Sequence, residues 1–539
     1  MAGEQTSVTI EDAALDTAAS ALIDELVAGS VASKLGAQDP TLWGADAESE
    51  AAIRLSWTTL HKSSRPLIGE IEALRTDLRS EGIDRIVLAG MGGSSLAPEV
   101  ITGTESVALT VLDTTDPGQV ADALAGDLER TVLVVSSKSG TTVETDSHRR
   151  IFAKAFADAG IDAASRIVVV TDPGSPLAEL GESEGYRKVF LADPNVGGRY
   201  SALTAFGLVP AGLAGADVAR LLDQAAVVAD SLTADSVENP ALRLAAALGA
   251  AHAGGAEKVV LADTGSGIAG LGDWAEQLIA ESTGKHGIGL LPVVVEDSAA
   301  PGFRDAGADA TPVAVGPADF GAKIAVTGPL GAQFLLWESA VAIAGRLLGI
   351  DPFNQPDVEA AKKAARSLLD DPAALSGSAE PSAVIGAVEV FAGAGTTAEG
   401  ALADVLREFL GTAPEHGYLA VQAYLDRLDD ASAALLRPEL AKRAGLETTF
   451  GWGPRFLHST GQYHKGGHPN GIFLQITGTP EHDLEVPERP YTLGQLQRAQ
   501  ALGDGQVLAD AGRPVLRLHL TDRAAGLSEL MRAVQELTS

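Results

Sequence analysis

The 539-residue sequence predicts an α/β fold built from mostly parallel sheets that are flanked by helices. From about residue 84, short apolar runs alternate with helical stretches, which is the pattern of parallel strands joined by crossover helices. The chain is long for a single core, and 45% of its residues are hydrophobic, so it can fill at least two packed domains. We therefore expect an N-terminal helical segment followed by two α/β domains.

The bounds of these regions follow from hydrophobic periodicity. Residues 1–80 are predicted to be helical because Leu15, Ala19 and Leu22 would share one helix face. Residues 81–235 form the first expected domain, with strands in the apolar runs 85–89, 107–112, 131–135, 167–170 and 188–191. Residues 236–539 form the second, with strands at 258–261, 289–295, 312–315, 417–421, 472–476 and 515–519. Within it, the Ala-rich stretch 360–413 is expected to be a helical insertion.

Composition excludes several classes of function. The chain has 72 Asp and Glu against 39 Lys and Arg, and a net charge of −33 has the wrong sign for binding nucleic acid or an anionic membrane. There is no cysteine, so disulfides, thiolate catalysis and Cys-ligated metals are excluded. The most apolar window, 241–254, contains Arg243 and His252 and is too short to span a bilayer. The N-terminus lacks the basic and apolar regions of a signal peptide, so we expect a cytoplasmic protein.

The most informative segment is SSKSGTTVET at 136–145, which follows an apolar strand and opens a predicted helix. Free backbone N–H groups and the positive end of a helix dipole favour a phosphate group at such a turn. Thr141 and Glu144 also fit a capping box, which would make them ordinary helix-starting residues. A capping box gives no reason for the residues Ser137, Lys138, Ser139 and Thr142. We therefore favour phosphate binding here.

Further segments carry reactive residues, each with an ordinary structural alternative. The run GMGGSS at 90–95 fits either a tight turn or a ligand loop, and the TDPG runs at 115–118 and 171–174 are interpreted as turns. Arg199, after two glycines, could stabilise negative charge or be solvated. Glu281, near a helix C-terminus, could be a catalytic base or an exposed glutamate. Lys362 could simply face solvent on its helix.

The three histidines between residues 458 and 468 suggest a metal site only weakly. No carboxylate at ligand spacing accompanies them, and Lys465 lies among them. We therefore expect no metal.

Together these segments resemble the phosphoglucose isomerase family, whose members are built from two sugar-isomerase (SIS) domains. The matching motifs are GMGGSSLAP at 90–98, SKSGTTVET at 137–145, GGRYS at 197–201, ESTGK at 281–285, NQPDVEAAK at 354–362 and LHSTGQY at 457–463. Each motif alone is weak, but the six together are specific. One departure concerns order, because in similar bacterial members the histidine motif precedes the NQP helix, whereas here it follows.

The resemblance implies a role for each matching residue. The residues implied to hold or position the sugar phosphate are Gly93, Ser94, Ser137, Lys138, Ser139, Thr142, Gly198 and Gln355. Arg199 would stabilise an enediolate, and Glu281 would move a proton between C2 and C1. His458 and Lys362 would assist ring opening, with His464 as the alternative to His458. Family members are generally dimers in which the partner subunit donates this histidine. A homodimer is therefore expected, and the altered motif order leaves the donor of the histidine open.

The implied activity is that of an aldose–ketose isomerase acting on glucose 6-phosphate and fructose 6-phosphate through a cis-enediol. It needs no cofactor, and the implied partner is a phosphorylated hexose rather than a nucleic acid or a membrane. Two alternatives stay open: a non-catalytic SIS-type phosphosugar-binding or regulatory protein, and an isomerase that also accepts mannose 6-phosphate.

Overall fold

The computed structural model describes residues 5–319, 321–370 and 380–537. Three β sheets follow one another along the chain, and helices flank each of them. Parallel pairs predominate in every sheet, so the predicted α/β fold class is confirmed.

The N-terminal region is mostly helical, as predicted, but it begins with a strand. Strand β1 pairs antiparallel with residues 324–327, far along the chain. Asp12 accepts the Leu15 backbone N–H at 2.8 Å and thereby caps the first helix. The elements are β1 (Ser7–Ile10), α1 (Ala13–Ala28), α2 (Val31–Gly36), α3 (Glu48–Ala51), α4 (Leu60–Ser63) and α5 (Pro66–Ser80).

The first sheet has the strand order β3–β2–β4–β5–β6 and is parallel throughout. Its central strands are buried on both faces, which explains their continuous apolar runs. All five predicted runs contain a strand. The elements are β2 (Arg85–Gly90), α6 (Leu96–Glu105), β3 (Thr110–Leu112), α7 (Pro117–Ala125), β4 (Thr131–Ser136), α8 (Val143–Asp158), β5 (Ile167–Thr171), α9 (Pro176–Ser183), β6 (Lys188–Leu191), α10 (Ala205–Ala214) and α11 (Val218–Leu232).

The second sheet has the order β1–β10–β9–β7–β8, with β1 as its antiparallel edge. Helices α11, α12, α13 and α14 belong to one large apolar core that also includes the helices of the N-terminal region. The elements are α12 (Pro240–Ala253), β7 (Lys258–Asp263), α13 (Leu271–Thr283), β8 (Leu291–Val294), β9 (Ala310–Val315), β10 (Ile324–Thr327) and α14 (Leu330–Leu348).

The third sheet has the order β11–β12–β16–β15–β13–β14 and its own apolar core. Strands β11 and β12 run antiparallel to their neighbours, and the others are parallel. The elements are α15 (Glu359–Asp370), β11 (Ala383–Ile385), β12 (Val388–Ala392), α16 (Leu402–Leu410), β13 (Tyr418–Tyr424), α17 (Leu436–Ala444), β14 (Glu447–Trp452), α18 (Gly461–Gly466), β15 (Gly471–Gly478), α19 (Leu493–Asp510), β16 (Val515–Leu520) and α20 (Arg523–Gln535).

The predicted organisation of residues 236–539 needs two corrections. Their strands form two sheets instead of one. The stretch 360–413, expected to be a helical insertion, contains strands β11 and β12 as well as helices, while its residues 371–379 lie outside the described ranges. Alanine content favours a helix there, but Val388 and Val390 alternate along β12 and are completely buried in the core of the third sheet. Packing against that sheet therefore outweighed local propensity.

Across the described ranges, no helix has the length and apolar character needed to cross a bilayer.

Candidate active site

The carboxyl ends of the strands of the first sheet open into a cavity of about 570 Å³. Loops that follow β2, β4, β5 and β6 form one side, as is usual for ligand sites in parallel sheets. Helix α13, the chain between α14 and α15, and the loop after β14 close the other side. Apart from His464, the alternative to His458, all twelve residues to which the resemblance assigns a role line this cavity: Gly93, Ser94, Ser137, Lys138, Ser139, Thr142, Gly198, Arg199, Glu281, Gln355, Lys362 and His458.

The loop between β4 and α8 presents hydroxyl groups and an ammonium group to the cavity. Ser137 Oγ lies 2.9 Å from Thr142 Oγ1 and accepts the Gly140 N–H at 3.2 Å. Gly140 has a φ of +70°, which favours glycine. No side chain caps the N-terminus of α8, so its first N–H groups are available to an anion.

Lys138 is held at the edge of this loop by two acceptors. Its Nζ donates to the carbonyl of Pro194 at 3.2 Å and forms an ion pair with Asp172. Burial raises the pKa of Asp172, although Lys138 acts to lower it. From the sequence, Asp172 was interpreted as part of a turn. In the structure it lines the cavity beside Lys138.

Glycines allow three loops to meet at the floor of the cavity. A Cβ atom on Gly93 would lie 2.1 Å from the carbonyl oxygen of Gly198. A Cβ atom on Gly92, whose φ is +55°, would lie 2.7 Å from the carbonyl oxygen of His458. Ser201 Oγ donates to Gly198 O at 2.6 Å. Larger side chains at these glycines would separate the loops that carry the candidate site residues.

Arg199 and Glu281 form a buried ion pair, with 3.2 Å between Arg199 Nη1 and Glu281 Oε2. Their side chains are only 4% and 8% exposed. The other guanidinium nitrogen, Nη2, donates to the carbonyls of Phe353 at 2.7 Å and Asn354 at 2.9 Å, which fixes the arginine. Burial raises the pKa of Glu281, while Arg199 partly offsets this effect. A carboxylate with a raised pKa next to a fixed cation suits proton transfer coupled to charge stabilisation.

His458 reaches the same cavity and pairs with Glu144, with 2.9 Å between His458 Nε2 and Glu144 Oε1. Glu144 also accepts a hydrogen bond from Gln500 Nε2 at 2.7 Å, and the other end of Gln500 accepts from Thr115 Oγ1 at 2.9 Å. Although burial acts to raise the pKa of Glu144, the nearby His458 lowers it overall. The carboxylate is therefore ionised and orients the histidine ring.

The capping-box interpretation of Glu144 is wrong. Helix α8 begins one residue later than that motif requires, with Thr142 at its N-cap, and Glu144 is buried against His458 instead. Glu144, Gln500 and Asp172 were not recognised from the sequence as site residues. SKSGTTVET does contain Glu144, so the motif itself held a signal, whereas Gln500 lies on α19 in a stretch without any recognised pattern.

Gln277 connects the two halves of the cavity and was also missed. Its Nε2 donates to His458 O at 2.8 Å and contacts Glu281 Oε1 at 3.4 Å. Gln277 and Glu281 are four residues apart on α13, so they share one helix face. That spacing was the available signal.

The remaining candidates differ in their exposure. Lys362 has a 45% exposed side chain and pairs with Glu359 at 2.9 Å, at the rim of the cavity. His464, the alternative to His458, is buried away from this cavity with its Nδ1 3.0 Å from the hydroxyl of Tyr418. Burial lowers the pKa of His464 to about 3. Of the two histidines, His458 is the one at the site.

Within the described part of the chain, no group of three or more histidine, aspartate and glutamate side chains is arranged to hold a metal ion.

Comparison with known proteins gives a consistent result. A family model described as phosphoglucose isomerase matches residues 67–309, which include Gly93, Lys138, Arg199 and Glu281. A probable glucose-6-phosphate isomerase from Natronomonas pharaonis is 30% identical over 343 residues, covering 53% of this chain and 79% of the relative. A glucose-6-phosphate isomerase from Thermosynechococcus vestitus is 32% identical over 351 residues, covering 53% of this chain and 65% of the relative.

A solved glucose-6-phosphate isomerase from Chlamydia trachomatis has a similar fold. Its TM-score is 0.55 at 19% identity, over 69% of this chain and 90% of that chain. The region matched by the family model ends before Lys362 and His458, so these two residues are assigned to the site by their position in the cavity. The chain belongs to the phosphoglucose isomerase family.

Proposed function

We propose that this protein interconverts glucose 6-phosphate and fructose 6-phosphate by proton transfer through a cis-enediol. The observation that carries the proposal is the buried Glu281–Arg199 pair, which shares one cavity with the hydroxyl-rich loop around Lys138. An aldose–ketose isomerase needs this combination of an anchor for the phosphate and a base for a carbon-bound proton. A cavity of about 570 Å³ has room for a hexose phosphate.

The phosphate is proposed to bind at the N-terminus of α8. Ser137, Ser139 and Thr142 would donate hydroxyl hydrogen bonds, and Lys138 would add a positive charge. Lys138 would exchange part of its pairing with Asp172 for the phosphate. Because the net charge of the chain is −33, this local positive charge matters for attracting an anionic substrate.

The proton transfer is assigned to Glu281. Its carboxylate would take the C1 proton of fructose 6-phosphate, and the carbonyl oxygen would gain negative charge as the enediolate forms. Arg199 would stabilise that charge, which exists only near the transition state, so its contribution would appear in the rate. The hydroxyl proton of O1 would pass to O2, and Glu281 would then return its proton to C2 as the C1 aldehyde of glucose 6-phosphate forms.

Ring opening is assigned to His458 together with Lys362. Opening a sugar ring requires a proton to leave the anomeric hydroxyl and another to reach the ring oxygen. His458 lines the cavity, and its contact with Glu144 at 2.9 Å would hold the ring in place for this exchange. In this proposal His458 and Glu281 belong to the same subunit, which is supported by their lining one cavity.

The proposed cellular setting is the cytoplasm, where the enzyme would act in glycolysis and gluconeogenesis, and the proposed assembly is a homodimer. Light scattering coupled to gel filtration would measure the mass of the assembly. A monomer with full activity would contradict the dimer but not the reaction.

The deciding experiment incubates chelator-treated protein with fructose 6-phosphate in D₂O. Deuterium at C2 of glucose 6-phosphate would support the isomerase mechanism without a metal. Binding of the sugar without exchange would instead favour a non-catalytic phosphosugar-binding protein. Appearance of mannose 6-phosphate would favour the broader specificity.

A further inference from the structure

The third sheet buries two different kinds of face. On one face, Leu516, Leu518 and Leu520 of β16 are completely buried in an apolar core. The alternating residues Arg517 and His519 point to the opposite face, where their cross-strand partners on β15 are Gln475 and Thr477. Parallel strands in a protein core normally carry apolar residues on both faces. The polar face therefore calls for an explanation beyond packing.

This polar face and helix α19 enclose a cavity of about 490 Å³, close in size to the proposed catalytic cavity. The two cavities have no lining residue in common. Thr477 and His519 lie near the carboxyl ends of β15 and β16, which is where parallel sheets bind ligands. The second cavity is thus a separate pocket of suitable size at a suitable edge.

Arg517 is the main indication of what this cavity binds. Its guanidinium lies 3.9 Å from the ring centroid of Phe391, and among the described residues it has neither a hydrogen bond nor an ion pair. Burial, followed by the charge of Arg498, lowers the pKa of Arg517 to about 10, so the side chain stays charged at neutral pH. A half-buried guanidinium offers five N–H donors, and here the described part of the protein supplies no acceptor for them. An anionic ligand would supply them.

The other polar groups indicate that the ligand also carries hydroxyls. His519 is held between two threonines, with Nδ1 2.9 Å from Thr477 Oγ1 and Nε2 3.1 Å from Thr479 Oγ1. Glu389 faces His519 from the neighbouring strand and can accept from a hydroxyl group. Hydroxyl and carboxylate groups around a cation match a polyhydroxylated anion.

One acidic residue of the cavity is already engaged elsewhere. Asp483 accepts the Gly494 N–H at 2.8 Å at the N-terminus of α19, and it also accepts the Thr492 hydroxyl at 2.5 Å. This carboxylate satisfies the helix terminus, so the helix terminus is not the anion site. The positive charge of Arg517 remains for a ligand.

We propose that the cavity between the third sheet and α19 is a second binding site for a small polyhydroxylated anion, with Arg517 binding the anionic group. This site goes beyond the proposed isomerase activity, and neither depends on the other. A phosphorylated sugar alcohol and a sugar acid share the required chemistry, and the experiment distinguishes them.

The test measures binding of glucitol 6-phosphate, which has no carbonyl group to isomerise, by titration calorimetry and hydrogen exchange. We expect two equivalents to bind the wild-type protein, with slower exchange in peptides covering 137–143, 471–480 and 493–501. Arg517→Gln should bind one equivalent and lose the protection of 471–480 and 493–501 only. Lys138→Ala should lose the protection of 137–143 only.

Gluconate and unphosphorylated glucitol serve as the other arms. Protection of 471–480 by gluconate would identify a carboxylate ligand, and protection by glucitol 6-phosphate alone would identify a phosphate ligand. Arg532→Gln, an exposed arginine on α20, is the matched control and should behave like the wild type. The proposal is wrong if neither glucitol 6-phosphate nor gluconate protects 471–480, if unphosphorylated glucitol protects it equally well, or if Arg517→Gln leaves this protection unchanged.

Discussion

Replacing Glu281 with glutamine tests the proposed chemistry most directly. Glutamine keeps the size of the side chain and an oxygen that can accept from Arg199 Nη1, now 3.2 Å from the carboxylate. It removes the charge and the capacity to take a proton from carbon. General-base catalysis contributes roughly 10²–10⁴-fold, which corresponds to about 3–5 kcal/mol in the activation barrier. We expect the rate of Glu281→Gln to fall by at least that factor.

The fold should survive this change. Removing one partner of a buried ion pair costs about 3–5 kcal/mol when the other charge is left without acceptors. Here Arg199 keeps the carbonyls of Phe353 and Asn354, at 2.7 and 2.9 Å, so the loss of stability should be smaller. Thermal unfolding would measure this loss, and calorimetry with glucitol 6-phosphate would show whether the cavity still binds a phosphorylated sugar.

The chain offers a matched control on the same helix. Glu276 lies on α13 but is not among the residues that line the catalytic cavity. Burial, reinforced by Asp273, raises the pKa of Glu276 to about 8, so glutamine resembles its protonated state at neutral pH. Glu276→Gln should isomerise at close to the wild-type rate. Near-normal deuterium exchange in Glu281→Gln, or an equal loss in both variants, would refute the assignment of Glu281 as the base.

Three further predictions concern binding, ring opening and pH. Lys138→Ala should raise KM by on the order of tenfold with little change in kcat, as expected for a residue that binds substrate and transition state equally. The control Lys154→Ala, on the exposed face of α8, should change neither constant. An equal loss in kcat and kcat/KM would instead show that Lys138 acts in the transition state. Glu144→Gln should lower kcat/KM by on the order of tenfold or more, because an ionised carboxylate no longer orients His458. The affinity for glucitol 6-phosphate should be kept. Unchanged kinetics would contradict the role of Glu144 in orienting His458. Burial raises the pKa of the Glu276 carboxyl from 4.5 in the unfolded chain to about 8 in the folded protein, so the folded state binds the extra proton. The free energy of unfolding therefore falls as pH rises through this window, by at most about 1.4 kcal/mol per pH unit. Denaturant unfolding from pH 5 to 8 should show a flatter profile for Glu276→Gln, and parallel profiles would contradict the raised pKa.

The strands of the sheet centres could be predicted, and those at the edges could not. Continuous apolar runs such as 131–135 and 167–170 signalled β4 and β5 because both faces of these strands are buried. Strand β11 has only three residues and none of them is buried, and β1 has four residues of which one is buried, so both are too short for a clear periodic pattern. Their pairing depends on partners that are distant in sequence, which local periodicity does not record.

The site residues could be predicted because each lies in a short sequence motif. The residues that hold them in place could not be predicted, because they come from distant parts of the chain. The loop around Lys138 and the helix around Glu281 each carry a recognisable pattern. Gln500 contacts Glu144 across 356 positions of sequence, and a glutamine on a helix gives no sign of such a partner. The altered order of the motifs also gave no indication that His458 would return to the same cavity, where the loop after β14 meets the loop after β2.

The pairing of β1 with β10 has a practical consequence for anyone who shortens or tags the protein. Four residues near the amino end cover the flank of the second sheet, and Arg243 Nε secures them by donating to the carbonyl of Val8 at 3.1 Å. Trimming them away would leave the amide and carbonyl groups of β10 unpaired, inviting edge-to-edge association between molecules. Aggregation of such a truncated protein would then indicate that strand β10 is uncovered and not that the catalytic cavity is damaged.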